Sequence, residues 1–116
     1  MSEQTTGGSY RIKLLGSNDW MLWKCWMQAI LRDLGIEEYI EVNSAPPVAK
    51  TPPTEADIRF QKEWKTGDAK AQTRIQSAIR DAEMIHISGT TMAQEMWKQL
   101  TIVKEFRGHL GVLATC

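Results

Sequence analysis

Leu15-Gly16-Ser17-Asn18-Asp19-Trp20-Met21-Leu22-Trp23-Lys24-Cys25-Trp26-Met27-Gln28-Ala29-Ile30-Leu31-Arg32-Asp33-Leu34-Gly35 holds the pattern that decides the fold. At 100° per residue, Trp20, Trp23, Met27, Ile30, Leu31 and Leu34 fall within an arc of about 100°, the width of a helix face laid on a core. Both ends carry signals. Ser17 or Asn18 is placed to accept the first free backbone N–H groups, Asp19 suits the positive end of the dipole, and Gly35 supplies a left-handed stop. A second apolar arc, Leu22, Cys25, Trp26 and Ala29, runs from about 140° to 240°, opposite the first. A helix apolar on two faces is either sandwiched inside a fold or turns one face to a partner. Cover of Trp26 by the Pro-rich segment or by the N-terminal lead-in is the alternative.

On the N-terminal side, residues 1–9 read as a polar, flexible tail. Tyr10 to Leu15 form an extended lead-in that is expected to pack Ile12 and Leu14 on the core. On the C-terminal side, Ile36 to Val42 form one or two further helical turns with Ile36, Tyr39 and Ile40 apolar. Residues 43–53 contain all four prolines, Pro46, Pro47, Pro52 and Pro53, and read as a linker without helix. Thr54 and Asp57 then have the form of a capping box. From Phe60 through Trp64, Gly67, Ala71, Ile75, Ala78, Ile79, Ala82 and Ile85 the helical phase is unbroken, which predicts one helix of about 28 residues. Its small residues Gly67, Ala71, Ala78 and Ala82 invite close approach. Ser88-Gly89 ends it. Thr91 with Gln94 suggests a second capping box for a last helix carrying Met92, Met96, Leu100, Val103 and Phe106 on one face, with Trp97 toward its edge. No stretch alternates with period two, so the expected fold is all-α: a small bundle of four to five helices forming a single domain over 10–116.

The 116 residues are 42% hydrophobic, with 14 Lys plus Arg balancing 14 Asp plus Glu. That length and content suit one core, and the zero net charge lacks the cationic excess on which non-specific phosphate binding draws. No apolar run approaches the roughly 20 residues of a membrane span, and Met1-Ser2-Glu3-Gln4 has no signal-peptide character. Two cysteines, Cys25 and Cys116, form no disulfide framework and read as free thiols, so the expected location is intracellular, in the cytoplasm.

The opening wording L-x-G-x-N-x-W-x-x-W-x-x-x-M, carried by Gly16, Asn18, Trp20, Trp23 and Met27, resembles the start of the Gag polyprotein of Copia-type retrotransposons, where Trp20 stands at a position often held by tyrosine. Trp64, Asp68, Ala71, Ile75, Ala78 and Ile79 are similar to that family's W-x-x-x-D-x-x-A-x-x-x-I-x-x-A-I stretch, and Thr90 to Leu100, with Trp97, to its T-x-x-E-x-W-x-x-L segment. The resemblance covers roughly residues 10–113 in three ordered blocks. It implies a capsid-like domain that builds a particle around the element's RNA and continues in the parent protein beyond Cys116. The implied core signature is Gly16, Asn18, Trp20, Trp23, Met27, Trp64, Ile75, Trp97 and Leu100. No zinc knuckle and no D-[ST]-G protease motif occurs in the chain.

Catalysis and metal binding find little support in the residues. Cys25, His86, His109 and Cys116 occur singly at irregular spacing, whereas a zinc site needs about four converging ligands. His86 reads as an edge or surface residue, Glu37, Glu38 and Glu41 as a solvated face, and no G-x-S-x-G or phosphate-binding loop is present. Lys62, Lys65, Lys70, Arg74 and Arg80 are interleaved with Glu55, Glu63, Asp68 and Asp81, a mixture that builds no phosphate-tracking stripe. The expectation is therefore a non-enzymatic protein without cofactor or metal that associates with itself and with other parts of a Gag chain. RNA is contacted weakly or indirectly and membranes not at all. The alternatives are a host-domesticated Gag-derived adaptor that binds a peptide and, behind it, an RNA-binding module. The candidate contact residues are Leu22 and Trp26 on the first helix and Leu110, Val112 and Leu113 near the C-terminus. Trp23, central in the buried stripe, should cost about 3–5 kcal/mol when replaced by alanine, read as a large drop in the thermal midpoint; an unchanged midpoint would remove it from the core.

Overall fold

The computed structural model describes residues 14–16 and 19–107, with the side chains at 106 and 107 excepted. Over this span the fold is all-α. Three α-helices, α1 (Trp20–Asp33), α2 (Glu55–Gln76) and α3 (Ala93–Thr101), alternate with 3-10 segments at Glu37–Ile40 and Asp81–Ile87, and α3 runs on into a π-helical stretch, Ile102–Arg107. The N-terminal tail 1–9, Ile12, Ser17, Asn18, Leu110, Val112, Leu113 and Cys116 lie outside the described residues.

α1 forms as its periodicity demands, burying Trp20, Trp23, Met27, Ile30 and Leu31. The N-cap position is Asp19, whose carboxylate is turned back to accept from the Gly16 N–H at 2.9 Å instead of capping the first turn. Gly35 takes φ +75°, the left-handed stop that other residues adopt only under strain. Ile36 and Ile40 then dip into the core from the first 3-10 turn. Cys25 is disulfide-bonded and not a free thiol, which corrects the expectation drawn from cysteine usage.

α2 starts where the capping box predicts. Thr54 Oγ1 accepts from Asp57 N–H at 3.1 Å while Asp57 Oδ2 accepts from Thr54 N–H at 3.0 Å. The linker is tied to this first turn, with Lys50 N–H donating to Asp57 Oδ2 and Gln61 Nε2 to the Pro47 carbonyl. These backbone donors hold the Asp57 carboxyl below the usual carboxylate range. The helix is shorter than its periodicity suggests, 22 residues ending at Gln76. A turn at 77–80 intervenes because the extended lead-in docks there: Leu15 N–H donates to the Ala78 carbonyl at 2.9 Å, and Arg80 N–H to the Leu15 carbonyl at 3.1 Å. Of the described lead-in residues, Leu15 is thus buried and Leu14 stands 40% exposed. After the turn the helical phase loses its meaning. Ala82 and Ile85 point outward, while Glu83 and Ile87 are buried. Phe60 and the first turns of α2 are also exposed, so core burial on this helix begins at Gly67.

α3 does not use the expected Thr91/Gln94 box. Thr91 instead donates from its N–H and its hydroxyl to Glu95 Oε1, bonds that hold the Glu95 carboxyl below its usual range. The deeper end of the helix is capped from another element: the buried Asp68 of α2 accepts from Ala93 N–H at 2.9 Å with one oxygen and from Gln72 Nε2 at 2.7 Å with the other. A buried carboxylate is tolerated here because its oxygens meet donors. Past Thr101 the π geometry turns the consecutive Lys104 and Glu105 inward, where the predicted stripe had only Val103 and Phe106.

Gly67 packs under the ring of Tyr39, whose edge meets Trp64 at 5.8 Å between centroids. Alanine at an interior helical glycine ordinarily stabilises by about 1 kcal/mol. At Gly67 a Cβ would overlap the Tyr39 ring, so Gly67→Ala should lower stability by about 1–3 kcal/mol, the range for overpacking, as read by urea unfolding followed by circular dichroism.

Candidate association surface

Most of the described residues of the implied core signature converge on one core. Trp20, Trp23 and Trp97 stack and tilt against one another with ring centroids 5.7, 5.9 and 5.9 Å apart. Met27, Ile75 and Leu100 complete the same cluster. Trp97 is therefore core and not an edge residue. Trp64 is the exception, half-buried beside Tyr39 and outside the cluster. Trp23 Nε1 donates to the Ala78 carbonyl at 2.8 Å, so the turn that ends α2 and the middle of α1 are joined through a buried indole.

A charged latch that sequence reasoning did not anticipate holds the N-terminal end of α1. Glu105 Oε2 accepts from Trp20 Nε1 at 2.9 Å and from Lys24 Nζ at 3.0 Å. Its neighbour Lys104 donates to the Gly16 carbonyl at 3.0 Å and pairs with Glu83 Oε1 at 2.6 Å, an ion pair without hydrogen-bond alignment. His86 Nε2 stands 3.4 Å from the same Glu83 oxygen. Gly16 is buried beneath the Arg80 side chain and offers its carbonyl to the latch. Buried Lys and Glu are uncommon unless paired, and here the pairing fixes how α1 is rotated about its axis.

That rotation sends the second apolar arc outward. Leu22 is 62% exposed, Trp26 54% and Met21 50%; Ala29 is exposed and Cys25 half-buried. At that exposure neither the linker nor the described part of the lead-in buries Trp26. Met21, which falls between the two arcs, extends the patch and was not among the residues singled out from the sequence. Leu110, Val112 and Leu113, the other candidate contact residues, lie outside the described residues.

Among the described residues no three His, Cys, Asp or Glu side chains gather where a metal ion could be held, and no helix is long and apolar enough to cross a membrane. No protein-family model, curated protein or solved structure matches the chain. The two tryptophans of α1 should separate cleanly in stability. Trp26→Ala should cost about 1 kcal/mol or less, as for surface sites with little packing, against the several kcal/mol expected at Trp23; paired thermal melts measure both.

Proposed function

We propose that this chain is the capsid-like N-terminal region of a Copia-type Gag protein, a non-enzymatic building block that associates with copies of itself. The single observation that carries the reading is the Met21/Leu22/Trp26 face of α1, apolar and uncovered, on the side opposite the buried stripe. An exposed tryptophan flanked by aliphatic side chains is the residue type that dominates contact energy when it meets a partner. Three ordered sequence blocks resembling that family and an all-α fold support the assignment. Other parts of the Gag chain are further partners and RNA is enclosed with weak or indirect contact; since Cys25 is not a free thiol, the cytoplasmic location rests on the family resemblance.

The mechanism is geometric. A helix face meeting the same face of a second copy makes a two-fold contact, and each such contact is weak alone because a single helix patch falls below the roughly 1,200 Å² of standard stable interfaces. Many weak contacts add when copies are held in one particle. The apolar contact should survive high salt, since screening acts on charges and not on buried apolar area. In analytical ultracentrifugation at high salt the native chain should show concentration-dependent dimers, and Trp26→Glu should run as a folded monomer. Dimers of undiminished strength in Trp26→Glu would overturn this surface.

A further inference from the structure

Opposite charges that are balanced along the chain are sorted in space by the fold. Between residues 58 and 76, α2 carries Arg59, Lys62, Lys65, Lys70 and Arg74 against Glu63 and Asp68. Asp68 is withdrawn into the core to cap α3, so beyond its acidic first turn, Glu55 and Asp57, the outer side of α2 is left predominantly basic. Arg59, Lys62 and Lys70 line an open groove along this helix together with Ile36 and Gly67, and it adjoins a second hollow, lined by Leu34 and Ala69, with which it shares Ile36, Thr66 and Lys70. Glu63 is the single carboxylate among the residues lining it.

The first 3-10 turn has the reverse character. Glu38 and Glu41 stand exposed on it, and Val42, which follows, is 85% exposed. Glu37 is engaged by Arg32 at 3.4 Å, but none of Glu38, Glu41, Lys62 and Lys70 makes an ion pair within the described residues. The turn is also held at a fixed height on α2. The Tyr39 ring sits on Gly67, and its hydroxyl is pushed above the usual tyrosine range by burial and then by the carboxylates of Glu38, Asp68 and Glu63. A chain of zero net charge does not repel its own copies, and this one displays an acidic tip at Glu38 and Glu41 and basic side chains at Lys62 and Lys70 along the groove.

We propose that the groove is a second self-association surface whose occupant is the Glu38–Val42 turn of another copy. The Glu38 and Glu41 carboxylates meet the Lys62 and Lys70 ammonium groups, and Val42 lies against Ile36, which both hollows share. The proposal rests on the self-association reading but uses different residues. It also supplies what that reading lacks, because a two-fold contact through α1 closes at a dimer and growth beyond it needs a second, independent interface. The contact is electrostatic, so it sets register and encounter rate and weakens as salt shortens the screening length to a few ångströms.

The test follows the size of the 116-residue chain in analytical ultracentrifugation at low and high salt. At low salt the native chain should grow beyond dimers, and at high salt it should stop at them. Lys62→Glu/Lys70→Glu and Glu38→Lys/Glu41→Lys should each stop at dimers at low salt. An equimolar mixture of the two should grow again, since each variant's groove then faces a turn of opposite sign. Far-UV circular dichroism keeps the fold in view, and Lys62→Ser/Lys70→Ser, which only removes charge, should also stop growth. Growth of either reversed variant equal to native, a mixture that stays dimeric, or a native chain that never exceeds dimers at low salt overturns the proposal. A single-stranded RNA oligonucleotide bound by the native chain but not by Lys62→Glu/Lys70→Glu, together with a mixture that does not regrow, would assign the groove to nucleic acid. Failure of this surface leaves the salt-resistant, Trp26-dependent dimer in place, so the two readings fall separately.

Discussion

The hydrogen bond from Trp23 Nε1 to the Ala78 carbonyl, 2.8 Å long and fully inside the core, is the constraint on which the remaining architecture hangs. A buried indole N–H without an acceptor is costly, as is a buried carbonyl without a donor. The Ala78 carbonyl accepts a second hydrogen bond, from Leu15 N–H at 2.9 Å. One oxygen thus collects α1, the lead-in before it and the turn that closes α2. The three stacked indoles then bring α3 to the same point, so elements far apart in sequence meet at one aromatic centre.

Polar groups do a different job in this core: they orient what the apolar residues merely attract. Asp68 reaches across 25 residues to cap α3, which sets where that helix starts on α2. Glu105 and Lys104 grip opposite ends of the α1 entry, at Trp20 and Lys24 and at Gly16. Buried ion pairs contribute little net stability relative to apolar substitutes, but they penalise other arrangements, since any rotation leaves a charge unpaired. The exposed Met21/Leu22/Trp26 patch is the consequence. With the Trp20 side of α1 locked inward by both apolar contact and the latch, the opposite arc has nowhere to go but solvent.

The two surfaces proposed as contacts differ in physical kind. The α1 face is apolar and insensitive to ionic strength, whereas the α2 groove and the Glu38/Glu41 tip are charged and screened by it. In an assembling protein such a division lets one contact hold while the other is tuned by solution conditions.

Local periodicity and cap chemistry determined much of the fold in advance. The buried stripe of α1, its stop at Gly35, the Thr54/Asp57 box, the helix-free proline segment and the all-α class were all legible, because each depends on residues within a turn or two of one another. The two-faced character of α1 was legible too, as an arc of Leu22, Cys25, Trp26 and Ala29. Which face is buried by what was decided only in three dimensions. The apolar phase running on through Ala82 and Ile85 wrongly extended α2, because periodicity cannot register that Leu15, more than 60 residues upstream, docks on the backbone at Ala78 and Arg80 and breaks the helix there. Gly67 was legible as a place of close approach, but not that the ring of Tyr39 would be what approaches it. Asp68 looked like one more solvated charge and is a buried cap, and its withdrawal is what leaves the basic side of α2 uncovered. Each of these outcomes turns on a long-range partner for a backbone or polar group, and such partners carry no spacing signature in a single chain.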